Sequence, residues 1–211
     1  MSKKLSLTEN SAILFQGDSI TDSGRKRNHN ESLGDGYVMM IAAWLSALHP
    51  EYHLKFYNRG VGGDRISNLK HRWKKDCLDL RPNLVSILIG VNDLSLPFWK
   101  SATSTESFES DYTSILEQTQ QLKCQIVLLE PFLVHSSGNF LEHSHELSKK
   151  IDVVRKIARK FDAKLIPLND IFLKASSKRV PSFWALDGVH PTLAGHALIA
   201  QSWINGVLEE L

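Results

Sequence analysis

Hydrophobic residues in this chain form two kinds of pattern, which alternate along the sequence. Short and nearly continuous apolar runs predict buried β-strands, and the two strongest runs are LVSILIG and QIVLLE. The predicted strands cover residues 12–16, 54–58, 84–90, 125–130 and 164–168. Continuous rather than alternating hydrophobicity is typical of strands that are covered on both faces, so the pattern favours a parallel sheet.

Between and after these strands, apolar residues recur three or four positions apart, which is the spacing of an amphipathic helix. The five predicted stripes lie within residues 38–48, 66–80, 112–122, 147–161 and 193–207. We place Pro191 in the first turn of the last helix, where proline is favoured. Strands that alternate with helices predict the α/β class, with a three-layer α/β/α sandwich around a central parallel five-stranded sheet.

Composition excludes several classes of protein. No repeat, low-complexity tract or flexible linker divides the 211 residues, so we expect a single domain over residues 1–211. The net charge of +2 is too small to favour nucleic acid or an anionic membrane as a partner. Cys77 and Cys124 are too few for a disulfide scaffold and indicate a reducing compartment. No apolar stretch has the length of a membrane span or a signal-peptide core, so we expect a cytoplasmic enzyme or binding protein.

Four loops should meet at one edge of the predicted sheet, because the carboxyl ends of parallel strands lie side by side. They are GDSIT, NRGVGGD and GVND after the first three strands, and DGVHPT before the last helix. Ser19 lies in the first loop, and Asp187 and His190 lie in the last. A serine hydroxyl becomes an effective nucleophile when a histidine takes its proton and an acid orients that histidine. His190 is the candidate base, and Asp187 can reach it from the same turn.

The same loops offer hydrogen-bond donors for the oxyanion of a tetrahedral intermediate. These are the backbone N–H groups of Ser19 and Gly60 and the side-chain amide of Asn92. Alternative interpretations exist for each residue: Ser19 as a helix cap, Gly60 as a glycine required for positive φ, and Asn92 as a turn residue. The presence of all four loops favours catalysis.

Together, the four loops resemble the four blocks of the GDSL, or SGNH, hydrolase superfamily, in the family's order and over nearly the whole chain. Ile20 replaces the leucine of GDSL, which is a common variant. The strings FQGDSITDSGR, FYNRGVGGD, RPNLVSILIGVNDL and DGVHPTLAGH are most similar to the single-domain bacterial branch that includes intracellular acetyl xylan esterases.

This resemblance implies a flavodoxin-like fold and a triad of Ser19, Asp187 and His190. It also implies that Gly60 and Asn92 are oxyanion donors beside Ser19.

Further residues near the predicted site are candidates for contact with substrate. They are Asp18, Arg25, Arg59, Phe98, Trp99 and Trp184. An aromatic ring in the cleft would stack on a sugar ring, which suits a carbohydrate ester. The alternative is that these aromatic residues pack loops or form a subunit contact.

Three other motifs do not support a different function. His143 and His145 in EHSHE are two residues apart and would point away from each other on a helix, so we expect no metal site. Trp73 in KHRWKK lies on the apolar stripe of its helix, so the charges form a solvated face rather than a nucleic-acid site. GVGGD lacks the lysine of a phosphate-binding P-loop, and we expect no organic cofactor.

The sequence therefore predicts a serine esterase that removes short acyl groups, above all acetyl, from a small ester such as an acetylated xylo-oligosaccharide. One alternative is a lipid acyl hydrolase of the lysophospholipase or thioesterase kind, which would need a deep apolar channel. The other is a non-catalytic flavodoxin-like binding module, for which the aspartate–histidine turn would have no use. We also expect copies of the chain to associate into a homo-oligomer.

Overall fold

A central sheet of five parallel strands organises the protein. The computed structural model describes residues 5, 7–95, 102–134 and 140–208. The strands are β1 (Ala12–Gly17), β2 (Lys55–Asn58), β3 (Leu84–Leu88), β4 (Gln125–Leu129) and β5 (Lys164–Ile166). They lie in the order β2-β1-β3-β4-β5, and every pairing is parallel. This is the strand order of flavodoxin-like proteins, so the predicted α/β class, parallel sheet and fold are confirmed.

Helices follow most of the strands. In the described residues they are α1 (Ser19–Asp22), α2 (Tyr37–Leu48), α3 (Ile66–Asp76), α4 (Thr105–Gln120), α5 (Phe140–Lys160), α6 (Leu168–Ser176) and α7 (Leu193–Leu208). Short 3-10 helices occur at Pro50–Tyr52, Leu78–Leu80, Val91–Asp93 and Pro181–Phe183. None of the helices in the described ranges is both long and apolar enough to cross a membrane.

The helices cover both faces of the sheet, which gives the predicted three layers. Neighbouring residues of a strand point to opposite faces, so each strand contributes to two hydrophobic clusters. The cluster beneath α2, α6 and α7 includes Phe15, Ile41, Phe172 and Trp203, and the cluster beneath α3, α4 and α5 includes Leu14, Trp73, Ile115 and Val154.

Two buried tryptophans tie helices to the interior through their indole N–H groups. Trp203 of α7 donates to Ser86 Oγ of β3 at 3.0 Å. Trp73 of α3 donates to Thr119 Oγ1 of α4, also at 3.0 Å. Both side chains are fully buried, so these bonds satisfy donors that would otherwise be costly. Trp73 therefore belongs to the core, as its position on the apolar stripe predicted.

Helix α6 was not predicted. The sequence pattern extended the last strand to Leu168, but β5 ends at Ile166 and Leu168 begins the helix. Buried Leu168, Phe172 and Ala175 follow one another at helical spacing, and Pro167 precedes them. The helical spacing was present in the sequence, but the apolar residues at the start of α6 continued the apolar pattern of β5.

Helix α7 begins two residues later than predicted. Pro191 is not in its first turn, because it forms an isolated antiparallel bridge with Ala185. Thr192 caps the helix instead, since its Oγ1 accepts the N–H of Gly195 at 3.3 Å and its carbonyl accepts that of His196 at 2.8 Å. The bridge closes the loop that carries Asp187 and His190.

The chain order places a ligand-binding crevice between two particular strands. β1 lies beside β3, and the paired residues Gly17 and Leu88 bring the two strand ends together. The connection after β1 and the connection after β3 run to opposite sides of the sheet. α/β proteins bind ligands in the crevice between two such strands.

Candidate active site

Ser19 directly follows the carboxyl end of β1, as the first residue of the short helix α1. The preceding residue, Asp18, is buried, and its Oδ1 accepts the N–H of Ile20 at 3.0 Å. Asp18 is therefore the helix cap, and Ser19 is left partly exposed at the crevice. The cap and the candidate nucleophile are thus two adjacent residues.

His190 and Asp187 complete a continuous hydrogen-bonded chain with Ser19. Ser19 Oγ lies 2.9 Å from His190 Nε2, and His190 Nδ1 lies 2.6 Å from Asp187 Oδ2. A carboxylate can only accept, so Nδ1 carries the ring proton and Nε2 is the acceptor for the serine hydroxyl. This is the tautomer that a general base requires.

Asp187 is held in place by several donors. Its Oδ1 accepts the backbone N–H groups of Val189 at 2.9 Å and His190 at 2.7 Å. Burial acts to raise the pKa of Asp187, but these hydrogen bonds and the His190 side chain outweigh it and hold the pKa below its usual range. Asp187 is thus ionised at neutral pH and favours the protonated imidazole that forms during proton transfer.

Gly188 lets the Asp187–His190 turn approach the sheet. It has φ +82°, and its carbonyl accepts the N–H of Val134 at 2.8 Å. A Cβ on Gly188 would lie only 2.8 Å from the carbonyl oxygen of Val134. Only glycine fits both the backbone conformation and the close contact at this position.

Asn92 lies at the end of β3, in the 3-10 helix Val91–Asp93. It is buried, and its Nδ2 donates to the carbonyl of Asp64 at 3.0 Å. An amide nitrogen carries two hydrogens, so one remains for a ligand. A hydrogen bond therefore joins the loops after β2 and β3, and the second hydrogen of Asn92 Nδ2 has no acceptor among the described residues.

Gly60 differs from the expectation. Its N–H donates to Asn58 Oδ1 at 2.8 Å, so in this structure that hydrogen is already used within the loop. Its φ is not positive either. Gly60 is glycine because it packs on α1, where a Cβ would lie 2.3 Å from the backbone nitrogen of Asp22.

The sequence reasoning missed the two other glycines of this loop. A Cβ on Gly62 would lie 3.8 Å from Ser19 Cβ, and its N–H donates to Asp22 Oδ2 at 3.0 Å. Gly63 has φ +83°, and its N–H has no acceptor among the described residues. The doubled glycine in GVGGD was a signal for a backbone that approaches the serine closely.

Buried carboxylates lie behind Ser19. Burial raises the pKa of Asp18 to about 7; the Ile20 N–H and the charge of His190 oppose this rise, and Asp93 and Asp64 add to it. A carboxyl group next to the candidate nucleophile therefore titrates near neutral pH.

Arg72 of α3 balances part of this negative charge. Its Nε donates to Asp64 Oδ2 at 2.7 Å, and its Nη2 donates to the carbonyl of Gly17 at 3.2 Å. This single side chain links the loop after β2 to the end of β1. It was not among the predicted site residues, since a lysine- and arginine-rich helix face is normally solvated.

The remaining predicted residues lie in different places. Arg59 donates to the carbonyl of Asn58 and to Asn30 Oδ1, at the rim of the loops. Trp184 packs edge-on against Phe183 and lines a groove between α2 and α7, not the pocket that contains Ser19. Phe98 and Trp99 lie outside the described residues. No cluster of metal-ligating side chains occurs in the described part of the chain.

Comparison with known proteins agrees with this geometry. The family model of GDSL-like lipases and acylhydrolases matches residues 15–198. The chain belongs to the GDSL-like lipase/acylhydrolase family. It is therefore a carboxylic ester hydrolase, as the sequence predicted.

Relatives of this GDSL hydrolase are similar over nearly their full length. An acetylxylan esterase from Geobacillus stearothermophilus is 32% identical in an alignment of 205 positions that covers 92% of this chain and 93% of the esterase. Its crystal structure superposes with a TM-score of 0.89 over 96% of each chain, at 30% identity. A GDSL-like protein from Parabacteroides merdae has a TM-score of 0.88 and 34% identity over 97% of this chain and 99% of its own.

Two further solved structures of the Geobacillus esterase are catalytic mutants. One replaces a serine with alanine and the other replaces an aspartate with alanine. These are residue types of the hydrogen-bonded chain described above for this GDSL hydrolase.

The buried carboxyl of Asp18 gives a pH-dependent prediction. Its folded pKa of about 7 is above the unfolded value of 3.8, so its contribution to stability is complete below pH 3.8 and is lost as pH rises through 7. We expect Asp18→Asn to gain stability relative to wild type by about 4 kcal/mol between pH 3 and pH 8, since asparagine can still accept the Ile20 N–H. Urea unfolding at several pH values measures this. Asp35→Asn, at an exposed carboxylate, is the control, and parallel stability curves for Asp18→Asn and wild type would contradict the prediction.

The packing of Gly60 on α1 gives a second prediction. We expect Gly60→Ala to lower the free energy of unfolding by roughly 1–3 kcal/mol, because the new Cβ meets backbone that cannot move aside. Gly62→Ala is the matched control, since the nearest atoms to its Cβ lie at 3.8 Å. Equal stabilities of the two variants in urea unfolding would show that Gly60 does not make this contact.

Proposed function

We propose that this protein is a serine esterase that removes acetyl or other short acyl groups through an acyl-enzyme intermediate. The observation that supports it most strongly is the uninterrupted hydrogen-bonded chain from Ser19 through His190 to Asp187. In this proposal Ser19 is the nucleophile, His190 the general base and acid, and Asp187 the residue that orients His190.

The proposed reaction has two halves. Ser19 Oγ attacks the carbonyl carbon of the ester while His190 Nε2 takes the hydroxyl proton, and Asp187 stabilises the resulting imidazolium. The tetrahedral intermediate then breaks its bond to the alcohol, whose oxygen receives the proton from His190. Water next attacks the acyl-serine while His190 takes one of its protons. The bond to Ser19 Oγ then breaks, His190 returns the proton to that oxygen, and the carboxylic acid is released. Asp187 and His190 are exposed, so solvent water can reach the acyl-enzyme.

Three donors are proposed for the oxyanion. They are the N–H of Ser19, the second hydrogen of Asn92 Nδ2, and the N–H of Gly63 in place of that of Gly60. Gly63 is supported by the lack of an acceptor for its N–H among the described residues and by the position of its neighbour Gly62 against Ser19. One such donor typically contributes about 2.7–4 kcal/mol to transition-state stabilisation.

The pocket that contains Ser19 supports a short acyl group. Its volume is about 320 Å³, and Ser19, Asp22, Ser23, Gly24, Arg25 and Arg27 line it. None of these side chains forms an apolar wall, and a long acyl chain would need one. This favours the short-chain esterase over the lysophospholipase- or thioesterase-like alternative.

An acetylated carbohydrate is the proposed substrate class, with xylo-oligosaccharides as the leading example. The support comes from the relative that acts on acetylxylan and from the polar pocket. No cofactor is needed for the chemistry, because serine, histidine and backbone donors supply every group that it uses. The non-catalytic binding module is not favoured, since such a module has no use for a histidine bonded to both a serine and an aspartate.

We also propose that residues 1–211 form one domain, because a single sheet supports both hydrophobic clusters. Free thiols at Cys77 and Cys124 fit the proposed cytoplasmic location. Self-association is supported by exposed apolar side chains beside α2 and in the loop before Asp187. These include Trp44 (58% exposed) and Leu186 (77% exposed).

A substrate panel tests the proposed function. It comprises acetylated xylo-oligosaccharides, para-nitrophenyl esters of increasing chain length and a lysophospholipid, with Ser19→Ala as the blank. We expect kcat/KM to be highest for acetyl esters, to fall steeply with chain length, and to drop by at least about a thousandfold in Ser19→Ala. Activity that rises with chain length would contradict the acyl specificity, and an active Ser19→Ala would contradict the mechanism.

A further inference from the structure

The loop that follows α1 carries a concentration of positive charge beside the nucleophile. Residues 25–27 read Arg-Lys-Arg, and Arg25 and Arg27 both line the pocket that contains Ser19. Arg59, from the loop after β2, reaches the same loop, since its Nη2 donates to Asn30 Oδ1 at 3.0 Å. The ester hydrolysis proposed above does not use any of these guanidinium groups.

The cationic end of Arg27 lies close to Ser19. Arg27 Nη2 and Ser19 Cβ are each 3.8 Å from the point where a Cβ on Gly62 would lie. The two groups are therefore within reach of one small substrate. The Arg27 side chain is 54% exposed, so a ligand in the pocket can approach it.

The acidic side chains around this pocket do not cancel its positive charge. Among the described residues, Asp22 is the only acid that lines it, and its Oδ2 already accepts from Arg27 at 2.5 Å and from the N–H of Gly62 at 3.0 Å. Asp35 Oδ2 lies nearby, 3.3 Å from where a Cβ on Gly24 would lie. Asp35 is exposed, at the outer edge of the pocket.

Arg25 shows that positive charge is in excess here. Its side chain is only 7% exposed, and its Nε lies 4.0 Å from Asp22 Oδ1. Its Nε donates to the carbonyl of Gly60 at 2.8 Å. Burial lowers the pKa of Arg25, Asp22 opposes this, and the charges of Arg59, Arg27 and Arg72 lower the pKa further. A ligand anion would relieve this repulsion.

We propose that the pocket beside Ser19 is an anion subsite, which binds a carboxylate carried by the alcohol part of the acetyl ester. The substrate class is then an acetyl ester of an acidic alcohol, such as an oligosaccharide that carries a uronic acid near the acetyl group. Guanidinium groups suit this role, because they are always charged and bind carboxylates with two parallel hydrogen bonds. The inference rests on the proposed esterase function and deepens it.

A matched pair of substrates tests the subsite. Meta-acetoxybenzoate and meta-acetoxybenzamide have nearly the same shape and release similar phenols, but only the first carries a negative charge. We expect wild type to prefer the anionic ester by roughly tenfold in kcat/KM, and added salt to reduce this preference without affecting the neutral ester.

Variants separate the subsite from other effects of charge. Arg27→Gln should abolish the preference, Arg27→Lys should retain most of it, and Asp35→Asn should increase it. Lys74→Gln is the control, because Lys74 is an exposed cation on α3 that pairs with Asp79 away from the pocket. The preference of Lys74→Gln for the anionic ester should equal that of wild type.

Two outcomes would overturn the inference. If Arg27→Gln slows both esters equally, the arginines stabilise the oxyanion of any ester and select no anion. If wild type hydrolyses both esters at the same rate, the pocket has no anion subsite, although the proposed esterase function stands. If wild type hydrolyses neither ester, the proposed esterase function itself is refuted.

Discussion

The hydrogen bond between Ser19 and His190 joins residues that are 171 positions apart in the sequence. It can form only when the end of β1 and the start of α7 are held at the same edge of the sheet. Trp203 fixes α7 to β3 through Ser86, and the bridge between Ala185 and Pro191 closes the loop before the helix. The geometry of the site thus depends on how α7 is packed, not on the loop alone.

Electrostatics divide the site into two regions. Behind Ser19, the buried carboxyls of Asp18, Asp64 and Asp93 lie in a poorly solvated environment, and Arg72 compensates only some of their charge. In front of Ser19, Arg25 and Arg27 make the pocket positive. A developing oxyanion is favoured on the positive side, while negative charge near His190 favours the imidazolium. Burial of the Asp18 carboxyl costs stability at neutral pH, as is common for groups retained at functional sites.

Much of the fold was predictable because its signals are local. The two central strands β3 and β4 follow from nearly continuous apolar runs, and α3 follows from a stripe that correctly placed Trp73 in the core. Helix α6 was missed because Leu168 continues the apolar pattern of β5, and only the later residues Phe172 and Ala175 distinguish a helix. Pro191 was misplaced because its bridge to Ala185 within the same loop outweighed its preference for a first helical turn.

The site was predictable at the level of residue types but not of individual contacts. Ser19, Asp187 and His190 converge because strand order dictates it. The sequence could not predict which glycine of NRGVGGD offers its N–H to a ligand. That depends on two hydrogen bonds of the folded loop, in which Asn58 accepts from Gly60 and Asp22 accepts from Gly62. The arginine cluster was also underestimated, since charged loop residues are usually solvated and only the structure shows Arg25 buried beside Ser19.

We propose Ser19 as the nucleophile that His190 activates. Labelling with a fluorophosphonate, followed by mass spectrometry of the digested protein, tests it most directly, because the reagent reacts with serines activated in this way. We expect one label per chain, on the peptide that contains Ser19, with loss of esterase activity in proportion to labelling and no label in His190→Ala. Loss of activity with the label on another residue, or full activity with Ser19 labelled, would contradict it.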